Sequence, residues 1–232
     1  MDVIIDGIVQ AFGLLIQGDR EVINITLLSL AVSGSATIIA LCIGVPSGVA
    51  LALNRFPGRR FLVSLLNTGM GAPPVVVGLI VALMLWRSGP FGILGIMYTP
   101  YAIVIAQFVI SLPIVTGFTM ATVQQLDPKL RLQILALGAS RFQMLLLLLK
   151  ETRLPLLAAV MAGFGSVISE VGASMMVGGN IQGLTRVLTT ATVNEVGKGQ
   201  LPVAIALGVI LMMLVFLVNL FLTMVQQRSR LR

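Results

Sequence analysis

The sequence predicts an all-α integral membrane protein with about five transmembrane helices, an N-terminal interfacial helix and a cytoplasmic helix hairpin. Composition is the first reason, because 57% of the 232 residues are hydrophobic and only 10% are charged, whereas about a quarter of a soluble domain is charged. The other reasons are five long apolar stretches and one basic segment with strong helix-capping signals. We treat residues 1–232 as one transmembrane domain.

The first element, within residues 1–20, contains an apolar run that is too short to cross a bilayer. Asp2 and Asp6 precede this run without any Lys or Arg, so the segment lacks the basic start of a signal peptide. We therefore expect a helix that lies along the membrane interface.

Five stretches reach the length of about 20 residues that roughly 30 Å of hydrocarbon requires. They are residues 22–53, 61–86, 100–122, 154–177 and 201–225. Glu170 is the only Asp, Glu, Lys or Arg within them. The single cysteine, Cys42, lies in the first span, where we expect packing to bury it.

The distribution of charge predicts the orientation. Five spans place the termini on opposite sides, and with the C-terminus in the cytoplasm 11 of the 15 Lys and Arg residues lie in cytoplasmic segments. The positive-inside rule therefore predicts that the N-terminus lies outside and the C-terminus in the cytoplasm, and we expect a multi-pass protein of the cell (inner) membrane. Topology and contact with anionic lipids of the bilayer account for the basic excess, so we expect no nucleic-acid partner.

The cytoplasmic segment, residues 124–153, carries the signals of two capped helices. Asp127 precedes a proline, which is typical of an N-cap followed by the first helical position. Gly138 supplies the left-handed residue that ends this helix. Ser140 and Gln143 have capping-box spacing and predict the start of a second helix.

The corner between these two helices is a candidate docking surface. A plain connector would explain the caps, whereas a docking surface would also explain a compact corner followed by basic and apolar residues. The residues alone leave both interpretations open. The corner consists of Ala136, Leu137, Gly138, Ala139, Ser140 and Arg141.

The second span is predicted to be broken, because Gly69, Gly71, Pro73 and Pro74 fall within six residues. Proline frees backbone groups of the preceding turn, and inside a membrane those groups need partners or a water-lined cavity. The break is either a packing kink or part of a translocation pathway.

The fourth span is rich in small residues, which favour close helix packing. Ser166, Glu170 and Ser174 are four residues apart, so in a continuous helix they form one polar stripe that faces a bundle or a cavity. Packing alone is the alternative explanation for the glycines. The pathway or gate candidates in both spans are Pro73, Pro74, Ser166, Ser169, Glu170, Gly172 and Ser174.

Several classes of chemistry are excluded by what the sequence lacks. It contains no His and one Cys, so zinc sites, disulfides and His-based acid–base catalysis are not expected. None of its three lysines lies in a phosphate-binding loop. We therefore expect no catalytic residue, no cofactor and no metal.

Four segments together resemble one transport family. They are residues 136–141 with the later Leu154-Pro155, residues 72–79, residues 87–90 and residues 168–180. The combination resembles the membrane subunits of ABC importers for oxyanions, of the tungstate type, which are relatives of molybdate and sulfate permeases. The Glu-Ala-Ala that opens the family's cytoplasmic motif is replaced here by Leu132, Gln133 and Ile134.

This resemblance implies the type I ABC importer permease fold. It implies a homodimer with the pathway at its interface, a cytoplasmic ATP-hydrolysing subunit docked under each copy at residues 136–141, and an external solute-binding protein. The chain would then be a transport subunit and not an enzyme, with ATP used only by its partner. Residues 178–200, with an amphipathic helix around 184–196, are the expected surface for the binding protein, unless that helix rests on lipid.

The resemblance also implies the substrate, tungstate, with molybdate or sulfate as alternatives. Carrying a dianion into a cell costs about 2.3 kcal/mol per charge for each 100 mV, roughly 4.6 kcal/mol in total, which fits a need for ATP. A stand-alone secondary anion transporter and a membrane enzyme are the other classes considered. We expect Glu170 not to bind the substrate, because a carboxylate repels a dianion. Helix-terminal amides, a basic side chain or a bound proton should hold it instead.

Overall fold

The structure is a computed structural model that describes residues 2–230, except for the side chains of residues 2, 128, 131, 141 and 228–230. Within this part of the chain the regular elements are helices. They are α1 (Asp2–Gln17), α2 (Arg20–Leu53), α3 (Arg59–Met70), α4 (Pro74–Leu85), a short 3-10 helix (Gly92–Leu94), α5 (Pro100–Gln124), α6 (Pro128–Ala136), α7 (Arg141–Glu151), α8 (Arg153–Ile168), α9 (Gly172–Gly178), α10 (Leu188–Gly197) and α11 (Leu201–Arg230).

Three helices, α2, α5 and α11, are long and apolar enough to cross a membrane without interruption. Two further spans are bent pairs: α3 and α4 meet at 105°, and α8 and α9 meet at 58°. Counting each pair as one span gives five, which confirms the all-α, five-span prediction.

The centre of the fold is the close contact between α2 and α5. Small residues on α2 allow it: a Cβ atom added at Gly48 would lie 2.6 Å from the Thr116 carbonyl oxygen, and one at Gly44 would lie 3.0 Å from Val115 Cγ1. Helices in lipid gain stability from such close van der Waals packing rather than from the hydrophobic effect. The pair is the scaffold on which the broken spans are positioned.

The N-terminal helix α1 forms as predicted and packs across the start of α11. Ala11 is buried in a cluster with Val22, Leu188 and Leu207. A Cβ atom at Gly7 would lie 2.5 Å from Ile205 Cγ2. The helix is therefore held by protein on one face, and its place along the membrane interface stays a prediction.

The segments predicted to lie on opposite sides of the membrane collect at opposite ends of the bundle. At one end, Gln182 Nε2 donates a hydrogen bond to Glu21 Oε1 (2.7 Å). At the other end, the α6–α7 hairpin packs against Leu53, and Gln226 Nε2 donates to the Leu154 carbonyl (3.2 Å). The loops thus sort into two groups, as a five-span topology requires.

The prediction that packing buries Cys42 is wrong for the single chain. Its side chain is exposed on α2 rather than buried by packing. The reason is that α2 is apolar on all sides, so its sequence does not mark the face that contacts α5.

Candidate coupling and translocation sites

The cytoplasmic hairpin has the capped structure that its sequence predicts. The Asp127 side chain accepts a hydrogen bond from the Lys129 backbone N–H (2.9 Å) at the start of α6. Gly138 has a φ of +78° and ends the turn. At the start of α7, the Ser140 hydroxyl accepts from the Gln143 N–H (3.3 Å) and the Gln143 side chain accepts from the Ser140 N–H (2.8 Å). The predicted capping box is confirmed.

A small apolar core attaches this hairpin to the bundle. Ile134, Met144 and Leu148 are buried together, and Leu53 at the end of α2 and Ala139 in the turn pack against them. The apolar residues 144–149 of the second helix predict that part of it packs against the spans or continues into the membrane, and Met144 and Leu148 pack against the end of α2. The hairpin is therefore attached to the end of a membrane-spanning helix.

The opposite face of the hairpin exposes large apolar side chains. Leu137, at the corner, is 87% exposed, and Leu132 and Phe142 are about two-thirds exposed at 66% and 67%. Exposed apolar residues clustered on one surface are typical of a protein interface. The Arg141 side chain lies outside the described residues.

The second span breaks where its glycines and prolines predict. Helix α3 ends at Met70, and Pro73 precedes α4, which begins at Pro74. The 105° bend turns α3 away from the line of α4. This confirms the break, and its role in a pathway stays a prediction.

Helix α3 also carries a polar face that sequence reasoning missed. Ser64, Asn67 and Thr68 are exposed in the single chain, although they lie within a span. Polar side chains in a membrane face a bundle interior or a water-filled cavity. The signal was available, because these residues recur at helical spacing after Arg60.

The fourth span also breaks, and this corrects the predicted polar stripe. Ser166 lies on α8, Ser174 lies on α9, and Glu170 lies in the break between them, so the three do not share one continuous helix face. The Ser166 and Ser169 hydroxyls donate to carbonyls of their own helix. Ser174 is buried, and its hydroxyl accepts a hydrogen bond from Gln107 Nε2 (3.3 Å).

Glu170 caps the second half of this broken span. Its Oε1 accepts a hydrogen bond from the Ala173 backbone N–H (2.9 Å) in the first turn of α9. Its carbonyl oxygen accepts from the Thr189 hydroxyl (3.0 Å) on α10. A carboxylate near a helix N-terminus also interacts favourably with the helix dipole. The prediction that helix-terminal amides hold Glu170 is confirmed.

The two breaks meet in space. Gly172 packs directly against the Val75 side chain, and a Cβ atom at Gly78 would lie 2.5 Å from Ala173 Cα. Small residues of both spans thus let α4 and α9 touch near their starts. The structure brings Pro73, Pro74, Glu170 and Gly172 into one neighbourhood, while Ser166 and Ser169 lie on the α8 side.

The outer segment forms a helix later than predicted, at Leu188 rather than near residue 184. The Thr185 hydroxyl donates to the Gly178 carbonyl and accepts from the Ile181 N–H, which holds residues 178–185 in a turn. Helix α10 buries Leu188 and Ala191 against α1 and α11, whereas Val193 and Val196 on the same helix are exposed.

An ion pair stabilises the end of α10. The Lys198 ammonium group donates to Glu195 Oε1 (2.7 Å). This hydrogen bond is the main reason that the pKa of Glu195 is lowered from its ordinary value, and burial opposes it in part. At the neighbouring start of α2, Arg186 pairs with Glu21 (3.5 Å).

These features define a class of protein: a multi-span membrane transport subunit, with two broken spans in contact and a capped hairpin exposed at one end. The profile of the family described as "Binding-protein-dependent transport system inner membrane component" matches residues 44–231. The chain belongs to this family. It is therefore a membrane permease component of a transport system.

Similar proteins agree with this assignment. The chain is 37% identical over 98% of its length to the tungstate uptake system permease protein TupB of Peptoclostridium acidaminophilum, and it covers 100% of that protein. It is 39% identical over 85% of its length to a probable anion ABC transporter permease protein of Haloferax volcanii, of which it covers 87%.

A solved structure has the same fold. A chain of the MetNI methionine ABC transporter, in an inward-facing conformation, superimposes with a TM-score of 0.71 at 18% identity, and the match covers 90% of this chain and 94% of that chain. This similarity confirms the type I ABC importer permease fold.

Proposed function

We propose that the chain is the permease subunit of an ATP-driven importer of tungstate. The 37% identity to a tungstate uptake permease along that protein's full length carries this proposal. The chain itself hydrolyses nothing in this proposal and holds no cofactor or metal. A separate subunit uses the ATP.

The substrate is tested by uptake in cells that lack this chain and are complemented with it. Tungstate, molybdate and sulfate are supplied separately, and accumulated metal or labelled sulfur is measured. We expect complementation to restore tungstate uptake most strongly, and deletion of the ATPase to abolish it. Restored uptake without the ATPase would favour a secondary transporter.

The ATPase is proposed to dock at the corner formed by residues 136–141. The exposed apolar side chain of Leu137 supports this, since burying a leucine stabilises an interface by about 1.5–3 kcal/mol. An acid there also places an unpaired charge in the interface. We expect Leu137→Asp to weaken co-purification with the ATPase roughly a hundredfold.

The matched control is Leu146→Asp, which places the same acid on an exposed position of α7 away from the corner. Ala139→Asp would be a poorer test of docking than Leu137→Asp, because Ala139 packs against the hairpin core and its substitution would also disturb the hairpin. We expect the control to co-purify normally. Normal co-purification and uptake of the Leu137 variant would refute docking at the corner.

The pathway is proposed to lie between two copies of the chain, beside the paired breaks of the second and fourth spans. The exposed polar face of α3, formed by Ser64, Asn67 and Thr68, supports this, because exposed polar side chains within a span face a bundle interior or a water-filled cavity; the Thr68 hydroxyl also donates to the Ser64 carbonyl (2.9 Å). In a homodimer this face and the neighbourhood of Pro73 and Glu170 line the path. A cysteine at Asn67 should react with a small anionic thiol reagent during turnover, and protection by tungstate would support the assignment.

The end that contains residues 178–200 is proposed to face outside and to meet the solute-binding protein. The positive-inside distribution supports this orientation. In a Cys42→Ala background, a cysteine at Gln182 should react with an impermeant reagent on intact cells, and one at Leu137 only after permeabilisation. The reverse labelling pattern would contradict the orientation.

A further inference from the structure

A polar pocket lies where the hairpin joins the bundle. It has a volume of about 420 Å³ and is enclosed by the end of α2 with the loop that follows it, the start of α3, the end of α5 and helix α7. Pockets that bind small ligands have volumes of about 300–1,000 Å³. This pocket is separate from the hairpin corner at residues 136–141 and from the paired breaks.

Two arginines line the pocket, Arg55 in the loop and Arg59 at the start of α3. Gly58, with a φ of +84°, forms the turn between them. The Arg59 Nε–H donates to the Leu51 carbonyl oxygen (2.8 Å), which fixes the guanidinium group at the wall of the pocket. Because a guanidinium group has five N–H donors, this bond uses only one of them.

The positive charge of the pocket exceeds its negative charge. Arg59 is partly buried and Arg55 is exposed, and neither forms an ion pair with another residue in the part of the chain that the structure describes. Asp127 also lines the wall, but its Oδ1 already accepts the Lys129 N–H (2.9 Å) as the cap of α6. A partly buried cation without a counter-ion is unfavourable, so an anion in the pocket would stabilise this arrangement.

We propose that this pocket binds a tetrahedral oxyanion between Arg55 and Arg59. Guanidinium groups bind such anions through pairs of N–H donors, and the Gln124 side chain on the wall provides an amide donor. Inorganic phosphate and a transported oxyanion such as tungstate share this chemistry, and the test uses both. The bound anion connects the loop after α2 with the base of the hairpin.

The test measures binding of radioactive tungstate and of radioactive phosphate, in separate arms, by equilibrium dialysis. The sample is the purified complex of this chain with its ATPase, and a non-hydrolysable ATP analogue keeps the nucleotide sites filled. We expect saturable binding of each anion, with each displacing the other. Arg55→Gln and Arg59→Gln should each weaken this binding about tenfold, as expected for the loss of a charge-assisted hydrogen bond.

Two further variants separate the pocket from general electrostatic attraction. Gln124→Glu changes an exposed residue of the wall into a carboxylate of nearly the same shape, so it should weaken binding of both anions about as much as the loss of an arginine. Lys150→Gln removes an exposed charge of α7 that does not line the pocket, and it should leave binding unchanged. Each variant is first shown by size-exclusion chromatography to assemble.

Three results would overturn the proposal. If the unmodified complex binds neither anion, the pocket takes no oxyanion in the assembled protein. If Arg59→Gln and Gln124→Glu bind both anions as tightly as the unmodified complex, the anions bind elsewhere. If Lys150→Gln weakens binding as much as Arg59→Gln, general charge rather than this pocket attracts them. Because the assay involves no transport, each of these results would leave the proposed importer function unaffected.

Discussion

Glu170 should act as a helix cap for α9 and not as a substrate ligand, and two substitutions distinguish these roles. Glu170→Ala removes the acceptor of the Ala173 N–H, whereas Glu170→Gln keeps an oxygen at the same position. The Ala173 residue is fully buried. Its N–H therefore has no access to water as a replacement partner.

The size of the effect follows from that geometry. Glu170 precedes the N-cap residue, Val171, and its carboxylate takes the place of the N-cap acceptor. Loss of such an acceptor costs about 0.5–2 kcal/mol, and a buried donor without a partner costs about 1–3 kcal/mol. We therefore expect Glu170→Ala to lose about 1–3 kcal/mol of local stability. This corresponds to a shift of roughly fivefold to 150-fold in the equilibrium between the ordered start of α9 and a locally opened state. Glu170→Gln should lose less than half of that, because a neutral acceptor replaces a charged one.

The assay is tungstate uptake together with ATPase stimulation by the binding protein, at equal amounts of assembled complex. Glu170→Gln should keep most of both activities, and Glu170→Ala should reduce both and lower the unfolding temperature of the complex. If Glu170→Gln abolishes uptake while assembly is normal, the charge itself is required and the capping explanation is wrong.

Further predictions concern packing, the outer helix and the hairpin. Gly78→Ala should destabilise the α4–α9 contact by about 1–3 kcal/mol through overpacking, measured by thermal unfolding. Gly165→Ala has open space around it inside α8 and should leave stability unchanged or raise it by up to about 1 kcal/mol, so it serves as the control. Because the pKa of Glu195 is lowered in the fold, its contribution to stability is complete above its ordinary pKa and is lost as pH falls through the lowered value. Hydrogen-exchange protection of α10 should therefore decrease at acid pH in the unmodified chain and decrease less in Glu195→Gln. An equal decrease in both would contradict the role of the pair with Lys198. Gly138→Ala meets no neighbour but must adopt a φ of +78°, so it should cost about 1–2 kcal/mol and weaken ATPase binding, which equal binding would refute.

The features predicted well from the sequence are those with local causes. The hairpin was predictable because Asp127, Gly138 and the Ser140–Gln143 pair act within one turn of the chain. The break in the second span was predictable because two glycines and two consecutive prolines fall within six residues, whereas the single prolines Pro46 and Pro113 lie inside continuous helices.

The features that were missed depend on contacts distant in sequence. The fourth span contains no proline at its break, which is stabilised instead by the Glu170 carboxylate and by the packing of Gly172 against Val75. The start of α10 was placed too early because the Thr185 hydroxyl joins residues that lie on either side of a turn. Exposure of Cys42 was missed because an evenly apolar helix carries no directional signal.

The central claim is that ATP hydrolysis by a partner drives tungstate through this subunit. The most direct measurement is uptake of radioactive tungstate into proteoliposomes that contain this chain with its ATPase, with the binding protein on one side and ATP on the other. We predict uptake only when all of these components are present, with loss of uptake when Leu137→Asp replaces the unmodified chain. Tungstate uptake by the chain alone, driven by an ion gradient and indifferent to ATP, would contradict the claim.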